Sequence, residues 1–276
     1  SGCFGRFVMN ENQIRKYYRD KPVKPVYFTI RNDSVTLFCA TTGADTLPPL
    51  LMVHGAPGAW YGSRNLLDDT ILQKQFHIIA VDRLGYNKSK FKGRRKPVTS
   101  IETQAIAIHE ALRINRSFKT GVLMGSSYGA PIAAKMAMMY PTEFHHLMML
   151  APAIDPDREK FWWFHKYLRS GLLPKLLPRY IRTASAEKFA HEEELRKLHN
   201  EWYKLTTPTT VMQGGRDYII DPENFEYARA VLRGKEANFI FLPEGHHVIR
   251  WQYPDTVRSV LNSTQVDVRP LNGVEY

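Results

Sequence analysis

Apolar runs and amphipathic stretches alternate along most of the chain. Residues 26–31 and 34–40 are rich in β-branched and aromatic side chains, and Asn32-Asp33 separates them, a pattern that predicts an antiparallel hairpin. Residues 50–53 are continuously apolar, as expected of a strand covered on both faces of a parallel sheet. Strands are also expected at 77–81, 121–124, 146–150, 209–212 and 238–242. Helices are expected at 60–72, from the capping-box start Thr99-Ser100-Ile101-Glu102 to Asn115, at 130–139, at 223–232, and from Pro254 onward. Such alternation predicts an α/β fold, a mostly parallel sheet with helices on both faces. Residues 154–206 break the rhythm, with helical stretches and no strand pattern. They are read as a helical cap inserted between core segments 26–153 and 207–276, with 1–25 a polar extension or tether.

Composition narrows the class. A chain of 276 residues with 43% apolar and 24% charged residues is globular and can bury a full core. No apolar run approaches the ~18 residues of a membrane span. The two cysteines, Cys3 and Cys39, give neither a disulfide framework nor a C-x-x-C pair. H-E-x-x-H is absent, so neither a metal nor another cofactor is expected. The net charge of +11 is concentrated. Arg83, Lys88, Lys90, Lys92, Arg94, Arg95 and Lys96 form one basic run, and 158–182 holds another against Glu159 alone. These runs either steer anionic ligands and surfaces or simply solvate exposed faces. No nucleic-acid reading motif accompanies them, so no nucleic-acid partner is expected. The opening Ser1-Gly2-Cys3 is similar to a processed lipoprotein start, which implies a cell-envelope location and lipid-anchored or peripheral membrane association; otherwise Cys3 is an idle cysteine of a cytoplasmic protein.

The chemistry lies at strand ends. Gly125-Ser126-Ser127-Tyr128-Gly129 joins an apolar strand to a small-residue helix, a context that throws the central serine onto a tight bend and makes Ser127 the candidate nucleophile. A serine hydroxyl needs a base, and the base needs a carboxylate to fix its tautomer. Gly214-Gly215-Arg216-Asp217 and Glu244-Gly245-His246-His247 follow later strands, in the order Ser, Asp, His. Asp217 competes with Asp221, which precedes Pro222-Glu223 as a helix cap would, and with Asp155 after the strand at 146–150. His246 competes with His247. The oxyanion hole calls for two backbone N–H groups, from Tyr128 and from Ala56 within His54-Gly55-Ala56-Pro57-Gly58.

With Asp82-Arg83-Leu84-Gly85-Tyr86-Asn87-Lys88-Ser89, these segments together resemble the α/β-hydrolase superfamily over residues 26–265. The resemblance implies a doubly wound, mostly parallel sheet of about eight strands with an inserted helical cap. In that family the catalytic histidine stands seven residues before a proline that opens the last helix; counting back from Pro254 selects His247. Two departures stand out: Asn87 replaces a second glycine, tolerable because asparagine accepts left-handed geometry, and Tyr128 follows the serine where relatives carry methionine, tryptophan or glutamine. Tyr128 argues against the cofactor-free haloperoxidases and proline iminopeptidases, and a serine nucleophile argues against haloalkane dehalogenases and epoxide hydrolases. The function implied is hydrolysis of a carboxylic ester or similar acyl bond of a small-molecule substrate. The alternatives are an amide or peptide hydrolase that reads a substrate amine with Glu192-Glu193-Glu194, and a ligand-binding protein with a vestigial triad. The aromatic run 161–164 and the apolar pairs to 181 would form an acyl-pocket lid or pack the cap onto the core.

Overall fold

A computed structural model describes residues 9–93, 97–159 and 178–271. Its centre is one mixed sheet whose strands run in the order β1 (Val26–Arg31), β2 (Val35–Thr42), β4 (His77–Val81), β3 (Pro49–Val53), β6 (Gly121–Ser126), β7 (Phe144–Leu150), β8 (Thr209–Gly214) and β9 (Ala237–Leu242). The pairs β1–β2 and β2–β4 are antiparallel, and every pair from β4 to β9 is parallel. A two-residue strand, β5 (Lys90–Phe91), lies inside the first basic run and pairs with the start of β2.

The continuous apolar runs are explained by burial on both faces. Leu51, Val53, Ile79 and Leu123 face α3 (Ile101–His109) and α4 (Gly129–Met139). Their neighbours Leu50, Met52, Ile78 and Met124 face the other way, against Trp60, Leu66 of α2 (Arg64–Leu67), and Val257 and Leu261 of α8 (Pro254–Ser263). This is the two-residue period of a strand, filled on each side by a helix layer.

Three expected elements differ in detail. The helix predicted over 60–72 is broken into a 3₁₀ turn at Trp60–Ser63, α2, and a 3₁₀ turn at Leu72–Lys74. Asp69 explains the break: its Oδ1 accepts the N–H groups of Ile71 and Leu72, and so competes with helical bonding. α3 starts one residue later than the predicted box, capped by Ser100, and passes into a 3₁₀ turn at Glu110–Ile114. Within the stretch read as a tether, α1 (Glu11–Tyr18) is a capped helix docked on the core, with Tyr18 stacked on Trp60 and the Tyr17 hydroxyl donating to Asp68 at 2.6 Å. Cys3, and with it the lipoprotein reading, lies outside the described residues, as do residues 161–177 of the aromatic and apolar run.

Between β7 and β8, within the stretch expected to form a cap, lies α5 (Arg179–His199). Leu195 and Leu198 join the core beside Tyr128. No helix among the described residues is long and apolar enough to cross a membrane.

Candidate active site

Ser127 sits between β6 and α4 with φ at +54°, in the left-handed region that L-residues adopt only under constraint. The constraint is visible in its neighbours. Its N–H donates to the Leu150 carbonyl at 2.9 Å, and its carbonyl accepts from Ala130 at 2.9 Å. Gly129 must lack a side chain, since a β-carbon there would lie 2.4 Å from the Val53 carbonyl oxygen. The bend is therefore clamped between β3, β7 and α4. The loop after β3 also reaches it: a β-carbon on Gly55 would meet the Ser127 Oγ at 3.4 Å.

Past the ends of β8 and β9 the structure brings Asp217 and His247 together, with Nδ1 2.8 Å from Oδ2. Asp217 is fully enclosed, and His247 is partly exposed. The other carboxylate oxygen accepts the N–H groups of Ile219 and Ile220, each at 2.9 Å. These bonds leave Oδ2 as the oxygen that faces the imidazole, which sets a proton on Nδ1 and frees Nε2 as an acceptor.

The competing residues fall elsewhere. Asp221 accepts the Glu223 N–H in the turn before α6 (Asn224–Val231), whose N-cap position falls on Glu223 and not, as expected, on Asp221. Asp155 caps the turn at Pro156–Arg158 by accepting from Asp157. His246 is exposed and its Nδ1 lies 3.0 Å from the Arg216 carbonyl. Among the described residues, neither the Tyr128 nor the Ala56 N–H donates to a protein acceptor, so both remain available to an oxyanion. Asn87 has φ of +41°, as its left-handed tolerance anticipated, and its side-chain amide holds Asp82 at 2.7 Å.

Several site residues escaped the sequence reading. Arg83, counted there among surface charges, is wholly buried. Its Nε and Nη2 donate to the carbonyls of His54 and Gly55 at 2.9 and 3.1 Å, and Nη1 pairs with Glu187 of α5. The Tyr86 hydroxyl donates to the same Glu187 at 2.5 Å. His54 accepts the Arg83 N–H on Nε2, and burial, then the adjacent guanidinium, holds the ring well below the usual imidazole range. Arg83 thus fixes the backbone of the loop after β3. His191 of α5 lies over the Tyr128 ring at 4.3 Å and pairs with Glu159. Burial raises the Glu159 carboxyl, but His191 and Lys188 override this and hold it at about 2. The motif containing Arg83 was visible in sequence; its partner, 104 residues away, was not.

The family model described as alpha/beta hydrolase fold matches residues 48–204, and the chain belongs to that family. A monoacylglycerol lipase, abhd6-B of Xenopus laevis, is 25% identical over 248 residues, which span 73% of this chain and 71% of the relative. A probable 1-acylglycerol-3-phosphate O-acyltransferase of Oryza sativa subsp. japonica is 33% identical over 112 residues, 40% of this chain and 26% of its own length. The chain therefore spans only about a quarter of the rice relative. Among solved structures, a membrane phospholipase A described as a bacterial virulence factor superposes with a TM-score of 0.68 at 21% identity, covering 88% of this chain and 87% of that one.

Proposed function

We propose that the protein is a serine hydrolase of carboxylic esters, with Ser127 as nucleophile, His247 as base, Asp217 as the orienting carboxylate, and the Ala56 and Tyr128 amides as the oxyanion hole. The observation that carries this reading is the His247–Asp217 pair at 2.8 Å, at the same carboxyl edge of the sheet as the strained Ser127. In the proposed cycle His247 Nε2 takes the Ser127 proton as Oγ attacks the ester carbonyl. The imidazolium then protonates the leaving alcohol, and water, activated by the same ring, releases the acid. No metal or cofactor has a role in these steps. The lipase and acyltransferase names of its relatives support an acyl lipid as substrate. In the amide-hydrolase alternative Glu192–194 would bind an amine, yet Glu192 pairs with Arg196, Glu193 with Lys197, and Glu194 with Lys197 and the Ile101 N–H. The basic runs support peripheral or lipid-anchored attachment to a membrane. Labelling with a fluorophosphonate tests the assignment: modification is expected on Ser127, and folded protein that stays unlabelled while hydrolysing no ester would refute it.

A further inference from the structure

Buried charge in this protein is generally matched: Arg83 meets Glu187, Lys135 meets Glu102 and Glu201, and Lys188 meets Glu159. Two guanidinium groups depart from this. Arg250, on α7 (Ile249–Gln252) three residues past His247, and Arg64, which opens α2, are each at least nine-tenths buried, at 7% and 9% exposure. Neither forms an ion pair among the described residues. Two like charges enclosed together without a carboxylate are costly, and the cost falls when an anion lies between them.

Their donors are only partly used. Arg250 donates from Nε to the Gly62 carbonyl at 3.0 Å and from Nη1 to the Ser126 Oγ at 3.1 Å, while Nη2 donates to no described atom. Arg64 donates from Nη1 to the Tyr61 carbonyl at 3.0 Å and lies over the Tyr17 and Trp251 rings at 5.1 and 4.6 Å; its Nε is buried without an acceptor. Asp68, one turn beyond Arg64, has Oδ2 held by Tyr17 and Lys21 and Oδ1 buried without a partner, and among the described residues it forms no ion pair with either guanidinium. Burial, and then the nearness of Arg64, pulls the Arg250 guanidinium down to about 10, the direction expected of a cation lacking a counter-charge. Location gives the pair its meaning. Ser126 adjoins the nucleophile, and Gly62 follows closely on the oxyanion loop.

We propose that Arg64 and Arg250 form an anion subsite beside the nucleophile, which takes a carboxylate or phosphate group carried by the acyl substrate. Guanidinium forks bind both groups through paired N–H donors. The proposal rests on the hydrolase reading for the identity of the substrate, and it narrows that substrate to acyl compounds bearing an acid.

The test compares p-nitrophenyl hexanoate with the mono-p-nitrophenyl esters of succinic, glutaric and adipic acids, in the wild type, Arg64→Gln, Arg250→Gln and Arg250→Lys. For the acid ester the wild type favours most, the ratio of its kcat/KM to that of the neutral ester should fall by about tenfold or more in each glutamine variant, chiefly through KM. Arg250→Lys should recover part of it. A ratio that moves less than about twofold in both glutamine variants, with both esters slowed alike, makes Arg250 only an anchor of the elbow and overturns the subsite. Should Arg250→Gln fail to fold, Arg64→Gln carries the same comparison. If the wild type turns over no ester, the hydrolase reading fails by itself, and calorimetric titration of Ser127→Ala protein with hexyl phosphate still tests the subsite. Binding there that weakens about tenfold in Arg64→Gln supports it, with hexanol as the neutral control. Equal binding by the variant, or inorganic phosphate bound as tightly as hexyl phosphate, overturns a substrate-borne anion.

Discussion

Arg83 and Glu187 form an ion pair closed off from solvent on every side, with Nη1 2.6 Å from Oε1 and Nη2 3.0 Å from Oε2. One partner belongs to the loop after β4 and the other to α5. The pair therefore ties α5 to the same backbone, at His54 and Gly55, that is proposed to carry the oxyanion hole.

Glu187→Ala leaves a guanidinium enclosed without its anion and should cost about 3–5 kcal/mol in urea unfolding. Replacing both partners, Arg83→Met with Glu187→Leu, should recover much of that loss, because the burial cost of the charges disappears with them. A single variant as stable as the wild type would mean the pair is not enclosed in solution.

Ser127→Ala should lower kcat by a factor on the order of 10⁴ or more and abolish fluorophosphonate labelling. The φ of +54° adds a second signature. Ser127→Gly should be more stable than Ser127→Ala by about 1 kcal/mol, since glycine occupies left-handed backbone without penalty. Thermal unfolding of the two variants decides it.

Asp217→Asn should keep its oxygen on the Ile219 and Ile220 N–H groups and turn its amide toward His247. That orientation forces the imidazole proton onto Nε2, where it cannot accept from the serine. Ester turnover should drop by roughly 10⁴-fold with little change in melting temperature. Near-normal turnover in this variant would remove Asp217 from the mechanism.

Asp82 is completely buried, and burial pushes its carboxyl up to about 7 despite the offsetting Trp60 N–H and Asn87 amide. The folded state therefore keeps a proton that the unfolded chain has lost above an ordinary carboxyl value of about 4. Unfolded chains bind fewer protons in this window, so this group's contribution makes stability fall as pH rises from about 4 to about 7. Measured across that range, wild type should lose stability relative to Asp82→Asn by a few kcal/mol. A constant difference would show that the carboxyl titrates normally.

Gly129→Ala places a methyl 2.4 Å from the Val53 carbonyl oxygen, a clash with backbone that no rotamer relieves. The variant should lose more than about 3 kcal/mol or fail to accumulate as folded protein.

The sheet was legible because parallel strands covered on both faces leave uninterrupted apolar runs, as at 50–53 and 77–81. The proposed nucleophile and its partners were legible because strand ends carry glycine-flanked polar residues in a set order. Three things were hidden. Asp69 broke the 60–72 helix through side-chain bonds to its own backbone, which periodicity does not register. Glu187 resembled any acidic residue on a charged helix until the fold set it against Arg83. Arg250 stands between apolar Ile249 and Trp251, and only the meeting of α7 with Ser126 and Gly62 gives it a role.

The leading helix α1 has a practical consequence. A protein trimmed to begin at Val26 would bare one side of the Trp60 indole and strip Asp68 of both Tyr17 and Lys21. Since Trp60 also donates its backbone N–H to Asp82, such trimming would loosen the footing of the whole β3 loop. Domain boundaries drawn for expression should keep those first turns.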